Sequence, residues 1–511
     1  MNNVRHIQVE TRSPVSLRVA NWRAWLGQRE VWLFLLLLVS LAYFFPRWAL
    51  WGANTKLDLI MAIVDQHTLS IDDYYQNTGD YALYKGVHYS DKAPGTSFLG
   101  VPFYALFKVL ARTSLVDNVM ARLSTNAAMT ETLREGGTGL LKDKVYSAMA
   151  MAFVTFFVAS VPSALLGVII YRFMGYLAPS PLPRILVVVV YALATVAFPA
   201  SQILDRQLVP ILTFSAFYLL FRIKRGEMGW RWLPLVGLFM GWSAITDYPS
   251  GLILVGLFIY AFFAVRQKTH LLALIGGGVP PVLLAMVYNY ACFETPLPTG
   301  YFYSELYTDL HYTGFLSLTY PKLDAMWGLT FSPFRGLFYR SPFLLLALPG
   351  FWFMGRDRAH RAEMGMCLWA VISFFLFNSS SAMWWGGNRP GPTYLIPMVP
   401  YMTIPIVYFL RDWVHRGWHK VLVGVLAIWS LLFVWVETIG GQIFPGLTPN
   451  PIWTVSVPAV LKGDIARNWG MLLGLRGFAS LLPLVVLQAL VAYLVIRRPG
   501  LSTAGTQESR K

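Results

Sequence analysis

Long apolar runs alternate along the chain with short polar breaks, and most of the runs approach the thickness of a bilayer. Stretches at 31–50, 145–171, 184–203, 207–222, 231–246, 248–265, 270–290, 341–354, 362–381, 391–411, 419–439 and 478–496 each read as a membrane span. About 20 apolar residues in helix are what a hydrocarbon core of ~30 Å requires. Twelve crossings return both ends of the chain to one side. Prolines at Pro179/Pro181/Pro183, Pro280-Pro281 and Pro390/Pro392 fall at span ends, where a missing N–H costs least. A further apolar run, 93–111, reads as an outer-side juxtamembrane or re-entrant helix, because a lone crossing there would reverse the side of every later loop. The pattern predicts an all-α polytopic membrane protein with about 12 transmembrane helices plus outer-side juxtamembrane helices. Three outer loops are long, at 51–144, 291–340 and 440–477, and basic segments at 1–30 and 497–511 flank the transmembrane domain at 31–496. No internal repeat is found, and Gly276-Gly277-Gly278, set inside an apolar run, reads as a helix-packing or bending feature.

Composition agrees, at 56% hydrophobic against 13% charged. Charge then sets the orientation. Of the 41 Lys and Arg, 23 fall in the two ends and in the loops on their side, against seven acids. That difference is the entire net charge of +16, so this side is cytoplasmic by the positive-inside rule. Basic residues confined to short loops between spans exclude a nucleic-acid partner. Two cysteines, Cys292 and Cys367, make neither a disulfide framework nor a thiolate metal site by themselves and read as apolar fillers. The run 31–51 is expected to span, since it lacks the small-residue cleavage site of a signal peptide.

The outer loops hold the candidate chemistry. Asp58, just past the first span, sits where a general base meets a hydroxyl from outside while a lipid-borne partner arrives from the bilayer. A helix cap or a solvated interfacial acid is the alternative role. Asp65, Asp72, Asp73 and Asp80 read as turn or surface acids. Lys92, between Asp91 and the turn Pro94-Gly95, suits a phosphate head group or a snorkelling contact. No P-loop, Asp-x-Asp, His-Glu-x-x-His or Gly-x-Ser-x-Gly occurs.

An acid after the first span, followed by Lys92-Ala93-Pro94-Gly95 opening a juxtamembrane helix, resembles the polytopic GT-C glycosyltransferases. Thr246-Asp247-Tyr248-Pro249, the run from Gly328 to Leu337 and the run from Trp384 to Leu395 are similar to motifs of their bacterial protein-mannosyltransferase and aminoarabinose-transferase-like branch. The branch carries Lys-Pro-Pro-Leu at the first motif, and an arginine where this chain has Thr393; Arg389 stands four residues earlier. The resemblance implies an inverting glycosyltransferase of a bacterial plasma membrane, its active site facing outward and its donor a polyprenyl-phosphate-linked sugar. The acceptor would be a glycan, lipid or protein. In that scheme Asp58 is the base, and Lys92 with Arg389 or Arg335 holds the donor phosphate. Asp91, Asp205, Asp247, Tyr248, Trp384 and Trp385 line the substrate pocket, with metal dependence undecided and no other cofactor implied. A lipid-linked sugar flippase and a non-catalytic glycolipid-binding protein are the competing readings.

The topology makes a direct prediction. Cysteines placed at Thr125 and at Asn388 should both be labelled from outside by an impermeant thiol reagent. Labelling of Thr125→Cys only from the cytoplasm would mean that 93–111 crosses.

Overall fold

The computed structural model describes residues 28–45, 50–125, 142–297, 300–306, 313–314, 317–440 and 446–499. The basic head and tail therefore lie almost wholly outside the described residues. Helices stand at all twelve expected spans: Arg29–Leu41, Lys142–Thr155 running on into Val161–Met174, Pro181–Leu193, Leu208–Lys224, Leu233–Thr246, Gly251–Ala264, Leu271–Phe293, Ala347–Arg356, Arg361–Ser379, Val399–Trp413, Gly417–Ile439 and Leu482–Arg497. Among the described residues, six helical stretches are by themselves long and apolar enough to cross a membrane. The protein is an all-α polytopic membrane protein. Proline opens several of these helices, in their first turn, where no backbone N–H is needed.

Two boundaries differ from the hydropathy pattern. The first helix stops at Leu41 instead of running to 50, because the chain turns out to pair with a distant segment. Phe45 N donates to Arg467 O at 2.8 Å, and Trp469 N to Tyr43 O at 3.2 Å. Residues assigned to the following loop instead form the helix Trp51–Met61. The expected span 184–203 is helical to Leu193, breaks at Ala194–Val196, resumes for one turn at Ala197–Ala200, and continues through non-helical backbone, buried except at Arg206, to Gln207. Such backbone is stable at this depth only when protein surrounds it; here Ser341 Oγ donates to Ala194 O at 2.8 Å. Run 93–111 forms the helix Gly95–Leu110, packed against Trp51–Met61. The outer polar stretch also contains a hairpin, Tyr81–Tyr84 paired antiparallel with Val87–Ser90. Its two-residue turn, Lys85-Gly86, has φ of 51° and 82°, the left-handed pair that matches strand twist.

The bundle is built around one helix. The stretch Thr393–Trp413 is 94% buried across its apolar window, against 28% for Gly417–Ile439 and 22% for Gly477–Arg497, which face outward. An aromatic group of Phe173, Phe214, Phe217 and Tyr401 packs beside it, with ring centroids 5.1–5.9 Å apart. Helices Leu233–Thr246 and Leu271–Phe293 touch backbone to backbone. A Cβ on Gly237 would lie 1.8 Å from Leu274 O, and one on Gly277 would lie 2.0 Å from Pro234 O. Two of these glycines thus let the helices approach, the role expected of small residues in a membrane.

Gly237→Val should therefore cost about 1–3 kcal/mol of overpacking, read as a lower melting temperature in detergent. Gly229→Val, which meets open space, should melt with the wild type.

Candidate active site

The helix Trp51–Met61 presents Gly52 and Lys56, one turn apart, to a layer of charge at one end of the bundle. Lys56 is buried and its ammonium pairs with Asp205. Asp205 lies in the buried backbone after the broken helix and also pairs with Arg389. Arg206 Nε reaches the same carboxylate at 3.3 Å, its Nη1 lies 4.0 Å from Asp247 Oδ2, and its guanidinium carbon stands 4.3 Å from the Tyr394 ring centre. On the other flank Lys92 Nζ lies 3.0 Å from Asp91, 3.2 Å from Asp80 and 5.6 Å from the Tyr301 ring centre. The two flanks meet over Gly52. A Cβ there would be 3.1 Å from Arg389 Nη2, 3.2 Å from Asp80 Oδ2 and 3.8 Å from Lys92 Cε. The absence of a side chain lets three charged groups from three separate segments converge.

Four cations (Lys56, Lys92, Arg206, Arg389) thus stand among four carboxylates (Asp80, Asp91, Asp205, Asp247). Burial alone would discharge such groups. Burial pushes the Asp205 carboxyl up, yet Arg389, Lys56 and Arg206 together hold it well below its usual range. Lys92 is likewise held well above the usual lysine range, against its own burial, by Asp80 and Asp91. Asp247 and Asp91 differ: burial outweighs their cations and raises both. The cavity against Asp205, Arg206 and Arg389 is small, ≈ 10 Å³, about the room of one water. Among the described residues, no three His, Cys, Asp or Glu side chains come together as a metal site.

Of the residues singled out in the sequence, Lys92, Arg389, Asp91, Asp205 and Asp247 are brought together. Tyr248 packs beside Tyr301, ring centroids 6.3 Å apart. Asp58 is not with them. Two residues after Lys56, its side chain points about 200° further round the helix, and it is fully buried with Oδ1 accepting from Asn77 Nδ2 at 3.2 Å. Burial, only partly offset by Asn77, pushes its carboxyl up to about 8. Asp58 Oδ2 and Asn54 Oδ1, one turn apart on that face, are buried without a partner, and a proton on Asp58 gives this pair of acceptors a donor. Arg335 is also placed differently from expectation. It is buried and donates to carbonyls of Trp385 at 3.0 Å, Gly387 at 2.6 Å and Gly446 at 3.1 Å, fastening the glycine-rich loop that carries Arg389. Trp384 covers Gly328 and meets Trp385 edge to face at 6.1 Å. Lys56, Tyr301 and Gly52 were not singled out, and Asp80, read as a turn or surface acid, is instead buried and paired with Lys92. The i, i+4 spacing of Gly52 and Lys56 was a signal once the helix is known; Asp80 and Tyr301 had none.

No family model and no curated protein matches the chain. One solved structure is similar: ArnT from Cupriavidus metallidurans, crystallised with undecaprenyl phosphate bound. It is 15% identical, with a TM-score of 0.47 over 93% of this chain and 76% of that one.

The environment of Asp58 fixes a pH dependence. The unfolded chain gives up this proton near the ordinary carboxylate value of 3.8, the folded chain only near 8. Between those values the unfolded state binds fewer protons, so the Asp58 contribution makes stability fall as pH rises. Asp58→Asn removes that slope. Its melting temperature should exceed wild type at pH 8 by more than it does at pH 4, as differential scanning fluorimetry will measure.

Proposed function

We propose that this chain is a glycosyltransferase of the GT-C type, moving a sugar from a polyprenyl-phosphate donor to an acceptor hydroxyl on the outer face of a bacterial plasma membrane. The observation that carries the proposal is the convergence of Lys92 and Arg389 over Gly52, with Arg206 and Asp247 alongside, at the end of a membrane bundle. A lipid-borne phosphate has to be met there, because its prenyl chain stays in the bilayer. The motif resemblance supplies the reaction class.

The acceptor oxygen attacks the anomeric carbon, the bond from that carbon to the donor phosphate oxygen breaks, and polyprenyl phosphate leaves. Lys92 and Arg389 take the charge that grows on the leaving phosphate, which lowers the barrier in proportion to their preorganisation. The acceptor proton goes to a carboxylate. We assign that role to Asp247 and not to Asp58. Burial raises Asp247, and its one cation contact, Arg206, is distant at 4.0 Å. Asp205 is too strongly paired to take a proton. Burial raises Asp58 as well, so position decides: its side chain faces Asn77 and not the cations, whereas Asp247 stands beside Arg206. Arg335 acts at one remove, by holding the loop backbone on which Arg389 is mounted.

The test is transfer by purified protein in lipid, followed by release of polyprenyl phosphate. Asp247→Asn should lower turnover by roughly 10²–10⁴-fold, while Asp58→Asn should keep most of it. Lys92→Ala and Arg389→Ala should each slow transfer, the pair falling short of additive because both act on one group. Full turnover in Asp247→Asn would return the base to another carboxylate. Donor flipping without any released polyprenyl phosphate, acceptors being present, would replace the transferase reading with transport.

A further inference from the structure

A roomier cavity than the one at the charged cluster lies elsewhere on the bundle. It is a lateral groove of ≈ 300 Å³ lined by Gly256, Ile259, Tyr260 and Phe263 on one helix and by Gly365, Met366 and Trp369 on another, at the lower edge of the size range of small-molecule sites. Its place in the fold follows from the chain. Gly251–Ala264 starts next to Asp247 and runs away from it, so its last turn lies about 20 Å from the cluster at 1.5 Å per residue. Arg361–Ser379 starts at that far end and runs back toward the Trp384 loop. The groove is thus on the outside of the bundle, at its basic end.

Two glycines shape it. Gly256 is crossed by the Trp369 indole, whose Cδ1 would lie 2.3 Å from an added Cβ, and Trp369 Nε1 donates to Leu252 O at 2.7 Å, fixing that wall. Gly365 has nothing within 4 Å of an added Cβ and leaves the groove open. Ile259 and Phe263 are exposed at 49% and 74%, an apolar lip on the bilayer-facing side of the span. At the mouth the sequence places Arg266, Arg358 and Arg361, all exposed and, among the described residues, in no salt bridge. Two acids stand near them in sequence. Glu363 is fully buried and held by Lys224 Nζ at 2.7 Å and Tyr260 Oη at 2.6 Å, and Asp357 already accepts from Ala359 N and Tyr408 Oη, each at 3.0 Å, and pairs with His360 Nδ1 at 2.9 Å. Neither pairs with the three arginines, so the mouth is positive.

We infer that this groove holds one anionic glycerophospholipid, an acyl chain lying between the two helices and the phosphate at the three arginines. An apolar slot open to the bilayer selects a chain, and unpaired arginines select a head group of net negative charge over a zwitterion. The site is independent of the outer charged cluster and of the reaction proposed for it.

Native mass spectrometry of the purified protein, supplied with phosphatidylglycerol and phosphatidylcholine vesicles before detergent extraction, reads the occupancy. Wild type should retain one phosphatidylglycerol in preference to phosphatidylcholine. Gly365→Leu should abolish retention by filling the slot. Arg266→Ala/Arg358→Ala/Arg361→Ala should weaken it on the order of a hundredfold, about fivefold per arginine. Gly424→Leu, equally open but on another outward helix, should change nothing. Added phosphatidylglycerol should also raise the melting temperature of wild type and not of Gly365→Leu, which separates loss of the site from loss of the fold. Equal retention of the two lipids, or unchanged retention in Gly365→Leu, would overturn the inference.

Discussion

Asp205 is the residue on which the charged end of the molecule depends. It is buried, and it is the shared counter-ion of Lys56, Arg389 and Arg206, which come from three parts of the chain. Without it, three cations would face one another in a medium that does not solvate them. Removing one partner from a buried pair typically costs 3–5 kcal/mol, because the other charge is left stranded. The broken helix before Asp205 makes sense in this light. A continuous helix would carry residues 201–207 along the bundle axis, whereas the non-helical backbone lays the carboxylate across the end of Trp51–Met61.

The same economy shapes the surrounding segments. Thr96 Oγ1 donates to Asp205 O at 3.1 Å and Ser97 Oγ to Lys56 O at 3.1 Å, so the start of Gly95–Leu110 is pinned to the charged layer as well as to its neighbouring helix. The buried pair of Arg340 with Glu437, 2.8 Å apart, does the corresponding work beneath the glycine-rich loop. Charge in this protein is therefore structural before it is chemical, and the candidate chemistry uses groups that the fold has already had to orient.

How much of this the sequence disclosed follows from what hydropathy measures. Span positions were legible because a bilayer imposes one length on every crossing, and the charge asymmetry followed from the same rule. Lys92, Arg389, Asp205 and Asp247 were found through the motif resemblance, and each also falls on the outer side or at a span end in the charge-derived map. The helix Trp51–Met61 was missed: its window WGANTKLDLIM mixes polar and apolar residues on all sides, and it is buried nearly all round by other protein, so amphipathic periodicity is absent. That omission carried over to Asp58. Its position after the first span was read correctly, but the direction of its side chain is a matter of helical phase, and without the helix there was no phase to read. Asp80 and Tyr301 belong to the layer only through tertiary contact. The hairpin did leave a trace, the Lys85-Gly86 pair between aromatic and β-branched residues, within a stretch read for its charge instead of for its alternation.

The cavity against Asp205, Arg206 and Arg389 has room for about one water, which bears on kinetics as much as on binding. Every cation there already has a carboxylate, so an arriving phosphate finds neither space nor unspent charge. On the reading proposed above, the donor must first part Arg389 from Asp205, and the loop fastened by Arg335 must give way as it does so. Occupancy would then be limited by the opening of the layer and not by diffusion along the bilayer, and soluble anions, which bring no prenyl chain to offset that opening, would be turned away.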